Sequence, residues 1–397
     1  MKNTNNFKTI SMIIKNKDIS QKNIGFFSQY ETHKTQTRVR CSNAVEHLSH
    51  LNVNSKVKFI YKAFPKKYDD IIIIHRPIMN KYVFHFLKYI KMLNIPVIYD
   101  IDDLLFDRAY DKRQKKEVSH KYIAVIKECD AVTVSTKFLL EKISDYNSNA
   151  YLIRNTISKN FFLQSTAIYN SQRKNNETIT LAYLSGSKTH DADFKIIEKI
   201  LVNILEKYGF VKLLIVGFLN YDHSKFEKFN TRIEHRDKIK YSNYHNIFRE
   251  IDINLVPLEL NDFCHAKSEL KYIEAGACGI PSVLTPTKSH EDIIINGENG
   301  LLCYDHNDWI NNLSLLIEND TLRDKIGKAA RIDIENNYTS KARANDWSLI
   351  LKKISEEKNN KHSASFFKLL PHQIRLKIMI LYRRVKMINT KIVKKLS

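Results

Sequence analysis

The feature that most constrains the fold is a strand–helix–strand unit in the second half of the chain. Apolar residues run from Ile253 to Leu258 and again from Ile280 to Thr285, and each run has the length of one buried β-strand. Between them, residues 267–277 have helical spacing, and Gly279 and Pro281 end the helix. A strand–helix–strand connection is typical of a parallel sheet. The unit therefore predicts an α/β domain, which binds ligands at the carboxyl edge of its sheet.

The start of this helix carries groups that suit a nucleotide diphosphate. Lys267, Ser268 and Lys271 lie there, beside the backbone N–H groups of the first turn, which attract anions. Glu274 follows about two turns after Lys267 on the same face, where a carboxylate can accept both hydroxyls of a ribose. The alternative interpretation is a solvated helix face, in which these charges pair at i,i+3 and i,i+4 spacing.

The helix sequence resembles the nucleotide-sugar segment of GT-B glycosyltransferases of family 4, which includes many bacterial envelope-polysaccharide enzymes. From Lys267 it reads Lys-Ser-Glu-Leu-Lys-Tyr-Ile-Glu-Ala-Gly-Ala-Cys-Gly-Ile-Pro-Ser-Val. The family motif holds two glutamates, one near the donor sugar and one at the ribose, and these positions fall on Ala266 and Glu274 here. Glu269 is a nearby carboxylate, but it is out of register by three residues. The chain therefore departs from the family pattern on the sugar side.

The resemblance implies a GT-B fold, in which two Rossmann-like domains face each other across a cleft. A chain of 397 residues is long enough for two such domains with full cores. We expect an acceptor domain at 23–165 and a nucleotide-sugar domain at 176–345, joined by a polar linker at 164–177. Residues 346–358 would form a helix that crosses back to the first domain. The Asn- and Lys-rich residues 1–22 are expected to be disordered.

Two successive strands of the first domain deliver polar residues to one edge of the predicted sheet. A strand of four isoleucines ends in His75, and the next strand ends in Asp100, Asp102 and Asp103. Because the carboxyl ends of parallel strands meet at one edge, these side chains are expected to line a cleft. The cluster resembles the acceptor-side edge of the family. We therefore expect His75 and at least one of the aspartates to position the acceptor hydroxyl.

The aspartates also allow two other interpretations. Asp-x-Asp is the manganese-binding signature of the other large glycosyltransferase fold, where two carboxylates hold a divalent ion against the diphosphate. Alternatively, Asp100 or Asp103 caps the short turn that follows. We favour a site without a metal, because lysines of the second domain provide the charge that neutralises the phosphates.

A second phosphate-binding segment follows the first strand of the second domain. Gly186 allows the backbone to approach a phosphate, and Ser187 and Lys188 supply a hydroxyl and a positive charge. Lys188 is expected to lie opposite the helix that begins at Lys267. The two lysines would then stabilise the leaving diphosphate, where negative charge develops in the transition state.

The resemblance implies transfer of a sugar from a nucleotide-diphosphate donor to a hydroxyl of a lipid-linked or polysaccharide acceptor. The reaction would retain the anomeric configuration, need no cofactor and serve surface-glycan synthesis (capsule, O-antigen or cell-wall polysaccharide). Two alternatives stay open: a nucleotide-sugar epimerase or hydrolase on the same scaffold, with which Ala266 is compatible, and a non-enzymatic basic binding protein. Nucleic-acid binding would place basic and aromatic residues together across the sheet faces. The positive charge is instead concentrated at the carboxyl end, so we expect no nucleic-acid partner.

The positive charge is concentrated at the carboxyl end of the chain. The formal net charge is +21, and residues 361–397 hold ten Lys or Arg and no Asp or Glu. Apolar residues recur there at helical spacing, bordered by basic residues: Ile374, Ile378, Leu381, Val385, Ile388, Ile392 and Leu396. The pattern predicts a helix that lies on an anionic membrane surface. The alternative is that the stripe packs on the protein's own body.

Other features of the sequence indicate a compartment. No apolar run reaches the length of a membrane-spanning helix, and the first twenty residues are too polar for a signal peptide. Five cysteines without Cys-x-x-Cys spacing argue against a disulfide framework or a zinc site. We therefore expect a cytoplasmic protein that associates peripherally with the inner face of the cytoplasmic membrane.

Overall fold

Two α/β domains, each built on a six-stranded parallel sheet, make up the body of the protein. The computed structural model describes residues 19–107, 118–171, 177–186, 191–358 and 371–380. All strand pairs in both sheets are parallel. The prediction of two Rossmann-like domains is confirmed.

The first sheet has the spatial order β2-β1-β3-β4-β5-β6. Its strands are β1 (Asn23–Ser28), β2 (Asn54–Phe59), β3 (Ile71–His75), β4 (Val97–Ile101), β5 (Ala131–Val134) and β6 (Ala150–Leu152). A helical turn at Thr35–Thr37 and a π-helical turn at Arg38–Ser42 lead into α1 (Asn43–Ser49). The other helices of this domain are α2 (Lys81–Met92), α3 (Ser119–Glu128) and α4 (Lys137–Ser144).

The four consecutive isoleucines of β3 reflect the layered architecture of this domain. Side chains alternate between the faces of a strand, so Ile72 and Ile74 pack into one apolar layer and Ile71 and Ile73 into the other. All four are fully buried. Because both faces of the sheet are covered, its central strand has to be continuously apolar.

The second sheet has the order β12-β11-β10-β7-β8-β9. Its strands are β7 (Ile179–Ser185), β8 (Val211–Gly217), β9 (Ile233–Arg236), β10 (Ile253–Val256), β11 (Ser282–Leu284) and β12 (Leu301–Leu302). The helices from here on are α5 (Lys159–Asn170), α6 (Asp191–Lys207), α7 (Tyr241–Tyr244), α8 (Asp262–His265), α9 (Leu270–Ala277), α10 (Lys288–Glu291), α11 (His306–Glu318) and α12 (Asp320–Asn337). Two 3-10 segments span His223–Arg232 and His245–Arg249.

The predicted strand–helix–strand unit is β10–α9–β11, and its two strands pair in parallel. The helix begins at Leu270, later than its periodicity suggested, because the short helix α8 occupies the preceding segment and Asn261 caps it. Lys267 and Ser268 consequently lie in the loop that opens onto α9. Gly279 ends the helix region with a positive φ of 70°.

Two helices connect the domains. α5 continues into the segment predicted as a linker, because Phe161 and Ile168 bury their side chains in the core of the second domain. α13 (Ala344–Lys358) returns to the first domain, where Trp347 is fully buried and its ring lies edge-on to Phe26 with centroids 5.8 Å apart. One face of the first sheet is therefore covered by α13.

A further helix, α14, spans residues 371–380 and packs on the first domain. Leu376 and Ile380 are buried in the same apolar cluster as the helix α2. Ile374 and Ile378, the first two members of the predicted apolar stripe, are instead 45% and 59% exposed. The stripe thus begins on the side of α14 that faces away from the domain. Residues 381–397 lie outside the described ranges, as do residues 1–18 of the segment 1–22 that was predicted to be disordered.

Among the residues that the structure describes, no helix combines the length and the apolar character needed to cross a bilayer.

Candidate active site

A cavity of ≈ 290 Å³ lies between the carboxyl ends of the two sheets. Residues of both domains line it, so it exists only where the domains meet. The first domain contributes Gln36, Asp102 and Asp103, and the second contributes Lys267, Ser268, Lys271 and His290. The structure thus brings together residues that were predicted separately on the acceptor and donor sides.

Lys267 and Ser268 are held in place by residues from other elements. The Lys267 ammonium lies 3.3 Å from Oδ2 of Asp193, a fully buried carboxylate in the first turn of α6. The Ser268 hydroxyl accepts a hydrogen bond of 2.7 Å from the Asn155 amide of the first domain. Both side chains border the cavity, so their positions at its wall are fixed before any ligand enters.

Lys271, in the first turn of α9, carries a buried ammonium that has no hydrogen-bond partner among the described residues. It lies 4.9 Å from the centre of the Tyr183 ring, which offers a weak cation–π contact. Burial, and then the positive charge of Lys267, lowers the pKa of Lys271 to about 8. A buried charge without a hydrogen-bonding partner is costly, so this group favours an anion in the cavity.

Glu274 lies farther along α9, against the aromatic residues of α7. It accepts a hydrogen bond of 3.1 Å from the Tyr244 hydroxyl. Burial raises the pKa of Glu274 to about 7, although the bond from Tyr244 opposes this shift. Across the domain boundary, the Arg38 guanidinium stacks on the Tyr241 ring at 3.2 Å. The predicted ribose ligand is therefore a carboxylate in an aromatic and cationic surrounding.

Asp100 is held inside the first domain. Its two oxygens accept hydrogen bonds from Arg40, of 2.5 Å from Nη2 and 3.1 Å from Nε, and one also accepts from the Thr133 hydroxyl at 2.7 Å. Only 1% of Asp100 and 3% of Arg40 is exposed. Although burial acts in the opposite direction, Asp100 raises the pKa of Arg40. The structure therefore places Asp100 in a buried ion pair behind the cavity wall.

His75 also lies behind the wall of the cavity. The residue is fully buried, its Nδ1 is 3.0 Å from the Ser28 hydroxyl, and its Nε2 is 3.5 Å from Oδ1 of Asp102. Despite burial, Arg76 and His75 keep the pKa of Asp102 below its usual range. His75 is thus arranged to support Asp102 rather than to meet a ligand directly.

Arg76 organises the two aspartates that do line the cavity. It donates to Asp102 through Nε at 2.5 Å and to Asp103 through Nη2. Its φ of 57° is uncommon for a residue other than glycine, and more so before a proline such as Pro77. Such a backbone costs roughly 1–3 kcal/mol, which the two ion pairs can offset. Burial and the neighbouring Asp102 raise the pKa of Asp103 in spite of Arg76.

A second ion-pair network joins the domains beside the cavity. Arg154 contacts Oε1 of Glu269 at 3.0 Å and also pairs with Asp292, which in turn pairs with Lys137. Glu269 is fully buried, and burial raises its pKa although Arg154 opposes the shift. Glu269 is thus engaged with the first domain and leaves the sugar side without a carboxylate from this segment. Sequence reasoning did not identify this network, because its members are far apart in the chain.

The other predicted donor residues are Gly186, Ser187 and Lys188, which follow β7. Ser187 and Lys188 fall outside the described ranges. Gly186 is described, and its carbonyl lies 3.4 Å from the Lys238 ammonium. At the position of the missing first glutamate, Ala266 is fully buried, and its carbonyl accepts a hydrogen bond from Thr136 at 3.4 Å.

His290 is a cavity residue that sequence reasoning missed. It follows β11 at the carboxyl edge of the second sheet and lines the cavity with the two lysines. The argument that selected His75 from the carboxyl edge of the first sheet applies equally to this position. The signal was therefore present, but no motif drew attention to it.

Comparison with known proteins supports the interpretation of the fold. Residues 196–348 match a family model described as glycosyl transferase-like. The matched segment is shorter than half of the chain and contains α9 and the residues around it. No curated protein matches the chain.

Several solved structures resemble the chain. Sucrose-phosphate synthase from Thermosynechococcus elongatus is 15% identical, with a TM-score of 0.60 over 85% of this chain and 100% of that protein. HepE of Anabaena, solved with UDP and glucose, is 12% identical, with a TM-score of 0.56 over 85% of this chain and 99% of HepE. A variant of TarM from S. aureus, solved with fondaparinux, α-GlcNAc-glycerol and UDP, is 18% identical, with a TM-score of 0.53 over 72% of this chain. That likeness spans 56% of the length of TarM.

At these identities the likeness shows the fold. The two parallel sheets with a cleft between their carboxyl ends match the architecture of these proteins. The predicted GT-B fold is therefore confirmed.

The buried Arg40–Asp100 pair leads to a prediction about stability. Asp100→Asn leaves the Arg40 charge without its partner, so the free energy of unfolding should fall by about 3 kcal/mol. Urea denaturation followed by circular dichroism measures the change. Asp145→Asn, at an exposed aspartate that ends α4, is the matched control and should change little. An unchanged denaturation midpoint together with lost turnover would instead assign Asp100 to catalysis.

Proposed function

We propose that this protein is a family-4-like glycosyltransferase that moves a sugar from a nucleotide-diphosphate donor to a hydroxyl of a lipid-linked or polysaccharide acceptor. The proposal includes retention of the anomeric configuration and a role in surface-glycan synthesis. It is supported by the GT-B fold, by the match over residues 196–348 and by structural neighbours that were solved with UDP.

The observation that carries the proposal is the buried Lys271 ammonium beside Lys267 at the cavity wall. Lys267 contacts one carboxylate, that of Asp193, whereas the Lys271 ammonium has no hydrogen-bonding carboxylate within the described part of the chain. A diphosphate would supply the missing negative charge. Because charge builds on the leaving diphosphate during transfer, the same two ammonium groups would stabilise the transition state more than the bound donor.

The opposite wall suits an acceptor hydroxyl. Asp102 and Asp103 border the cavity, and Arg76 fixes both carboxylates. The low pKa of Asp102 keeps it ionised, so it can accept a hydrogen bond from the hydroxyl that attacks. Asp103 has 32% of its side chain exposed and is the more accessible of the two. We assign the acceptor-positioning role to these two residues and a supporting role to His75.

The proposed mechanism uses no metal. Asp100 pairs with Arg40, and Asp102 pairs with Arg76, so each carboxylate of the Asp-x-Asp pattern already has a cationic partner. Within the described ranges, no group of three or more His, Cys, Asp and Glu side chains is arranged to hold a metal ion. The lysines would neutralise the diphosphate in place of a divalent ion.

A surface of the first domain suits an anionic membrane. Ile374 and Ile378 point outward from α14, and the exposed Arg375 and Lys377 flank them. His372 of this helix contacts His85 of α2 through ring nitrogens 3.0 Å apart. The outward faces of the two helices therefore belong to one side of the domain.

Helix α2 also exposes apolar and basic side chains. Phe84 is 44% exposed, and the Lys88 ammonium lies 5.6 Å from its ring, with Lys81 one turn earlier. Neither α2 nor α14 contains an acidic residue. Each lysine or arginine near anionic lipid contributes about 1 kcal/mol, and exposed apolar side chains add insertion energy. We propose that this face docks on the inner leaflet, in the cytoplasm, where a lipid-linked acceptor would be held.

The donor site predicts a maximum of affinity near neutral pH. Below about pH 7 Glu274 becomes protonated and loses its capacity to accept two ribose hydroxyls, and above about pH 8 Lys271 loses its charge. The ligand is the nucleotide sugar that binds most tightly in a panel of uridine, guanosine and adenosine donors. Its affinity, measured by calorimetry, should therefore fall below about pH 7 and above about pH 8. Glu274→Gln should remove the acid limb and Lys271→Met the alkaline limb, each weakening binding about 10- to 100-fold.

The exposed lysine of β8 provides the control for this series. Lys212→Met should leave the affinity and its pH profile unchanged. If no nucleotide sugar binds at any pH, or if both site variants bind as tightly as the unchanged protein, the donor assignment is wrong.

Turnover without divalent ions tests the mechanism. With radiolabelled nucleotide sugar and an extract of lipid-linked saccharides as acceptor, most activity should survive EDTA, because lysines neutralise the diphosphate. Collapse in EDTA with rescue by manganese would replace this mechanism with a metal-dependent one. Release of free sugar, or an epimerised donor, would favour the hydrolase or epimerase alternative.

Vesicle sedimentation tests the docking face. The full chain should sediment with phosphatidylcholine vesicles that contain phosphatidylglycerol, less so at high salt. The triple variant Phe84→Ser/Ile374→Ser/Ile378→Ser should stay largely in the supernatant and still bind the donor. The control replaces two equally exposed leucines elsewhere, Leu163→Ser and Leu349→Ser, which are 58% and 63% exposed. Equal sedimentation of the triple variant and the control would contradict the docking face.

A further inference from the structure

His290 is a nearly fully buried side chain that lines the cavity between the domains. It lies in α10, where Thr287 caps the helix, and 1% of its surface is exposed. The cavity wall places it with Lys267 and Lys271 on the side of the second domain. Its position at the carboxyl edge of the second sheet follows from β11, which leads directly into this turn.

The hydrogen bonds of His290 define which ring nitrogen carries the proton. Nδ1 lies 2.7 Å from the carbonyl oxygen of Thr285. A carbonyl can only accept, so Nδ1 is the protonated nitrogen and Nε2 carries a lone pair. Within the described part of the chain, Nε2 has no hydrogen-bond partner. The ring thus offers one unused acceptor in the cavity wall.

The environment keeps the ring neutral. Burial, together with the positive charges of Lys271 and Lys267, lowers the pKa of His290 to about 4, although the bond to Thr285 opposes the shift. At neutral pH the ring is therefore an acceptor at Nε2, and the two ammonium groups are close enough to affect it. Since the lysines are donors, the cavity wall combines donors for an anion with one acceptor for a neutral group.

A nucleotide sugar would use both kinds of group. Its diphosphate oxygens can only accept hydrogen bonds, so they match the lysines and not Nε2. The group attached directly to that diphosphate is the sugar, which carries hydroxyl donors. We propose that Nε2 of His290 accepts a hydrogen bond from one hydroxyl of the transferred sugar and thereby makes His290 a residue that selects the donor sugar. This inference rests on the proposed function.

A pair of variants separates the acceptor role of His290 from its structural role. Asparagine can place an amide N–H near the position of Nδ1 and keep the bond to Thr285, but it lacks an acceptor at the position of Nε2. Glutamine reaches the position of Nε2 and can supply an acceptor there. Calorimetry would compare the nucleoside diphosphate with the nucleotide sugar for the unchanged protein, His290→Asn and His290→Gln.

We expect His290→Asn to weaken binding of the nucleotide sugar about tenfold and to change binding of the nucleoside diphosphate by less than about twofold. His290→Gln should recover part of the loss. A series of donors that each lack one sugar hydroxyl identifies the hydroxyl that contacts Nε2. One of these donors should bind the unchanged protein about tenfold less tightly than the complete donor does. That same donor should bind the unchanged protein and His290→Asn with equal affinity, because the contact is absent in both complexes.

Three results would overturn the role of His290. Equal losses for the diphosphate and the nucleotide sugar would show that the ring only supports the phosphate site. Unchanged affinity of His290→Asn for the nucleotide sugar would show that Nε2 meets no hydroxyl. If the unchanged protein binds the nucleoside diphosphate but gains nothing from any attached sugar, His290 does not select a sugar, whereas failure to bind any nucleotide rejects the proposed function itself.

Discussion

A buried guanidinium holds the two halves of the cavity in register. Arg40 pairs with Asp100 at the end of β4, and its Nη1 donates to the Ile153 carbonyl at 2.6 Å and to the Asn155 amide oxygen at 3.0 Å. The Asn155 amide then donates to the Ser268 hydroxyl in the second domain. One continuous chain of hydrogen bonds therefore runs from the first sheet to the loop that carries the proposed phosphate ligands. Because Arg40, Asp100 and Asn155 are buried, a break among them would leave a charge or a polar group without a partner.

The two walls of the cavity carry opposite charges, and each wall belongs to one domain. On the side of the second domain, Lys267 and Lys271 present ammonium groups, and on the side of the first, Asp102 and Asp103 present carboxylates that Arg76 restrains. A donor with an anionic leaving group and an acceptor with a hydroxyl proton would each meet the complementary wall. This division makes the relative position of the domains part of the chemistry, since neither wall suits both substrates.

Several parts of the fold and the site were accessible from the sequence because they depend on local pattern. The β10–α9–β11 unit followed from periodicity and from the breakers at Gly279 and Pro281. Lys271, predicted as a donor ligand from the helix start and the family resemblance, lines the cavity, and its role there stays a prediction. By contrast, the polar segment after residue 164 suggested a linker, and burial of Ile168 made it helical. Composition does not show which face of a helix is buried.

The sequence by itself determined the fold class and the segments that reach the cleft, because strand alternation, helical spacing and turn residues act over short distances. Tertiary structure alone decided which of the polar residues at the sheet edges face the cavity. Asp100 and Asp102 are two residues apart, yet one is enclosed by Arg40 and the other borders the cavity. His290 joins that wall from a segment far away in the chain. Burial and partner choice depend on contacts between distant residues, and those contacts exist only once both domains have folded and met.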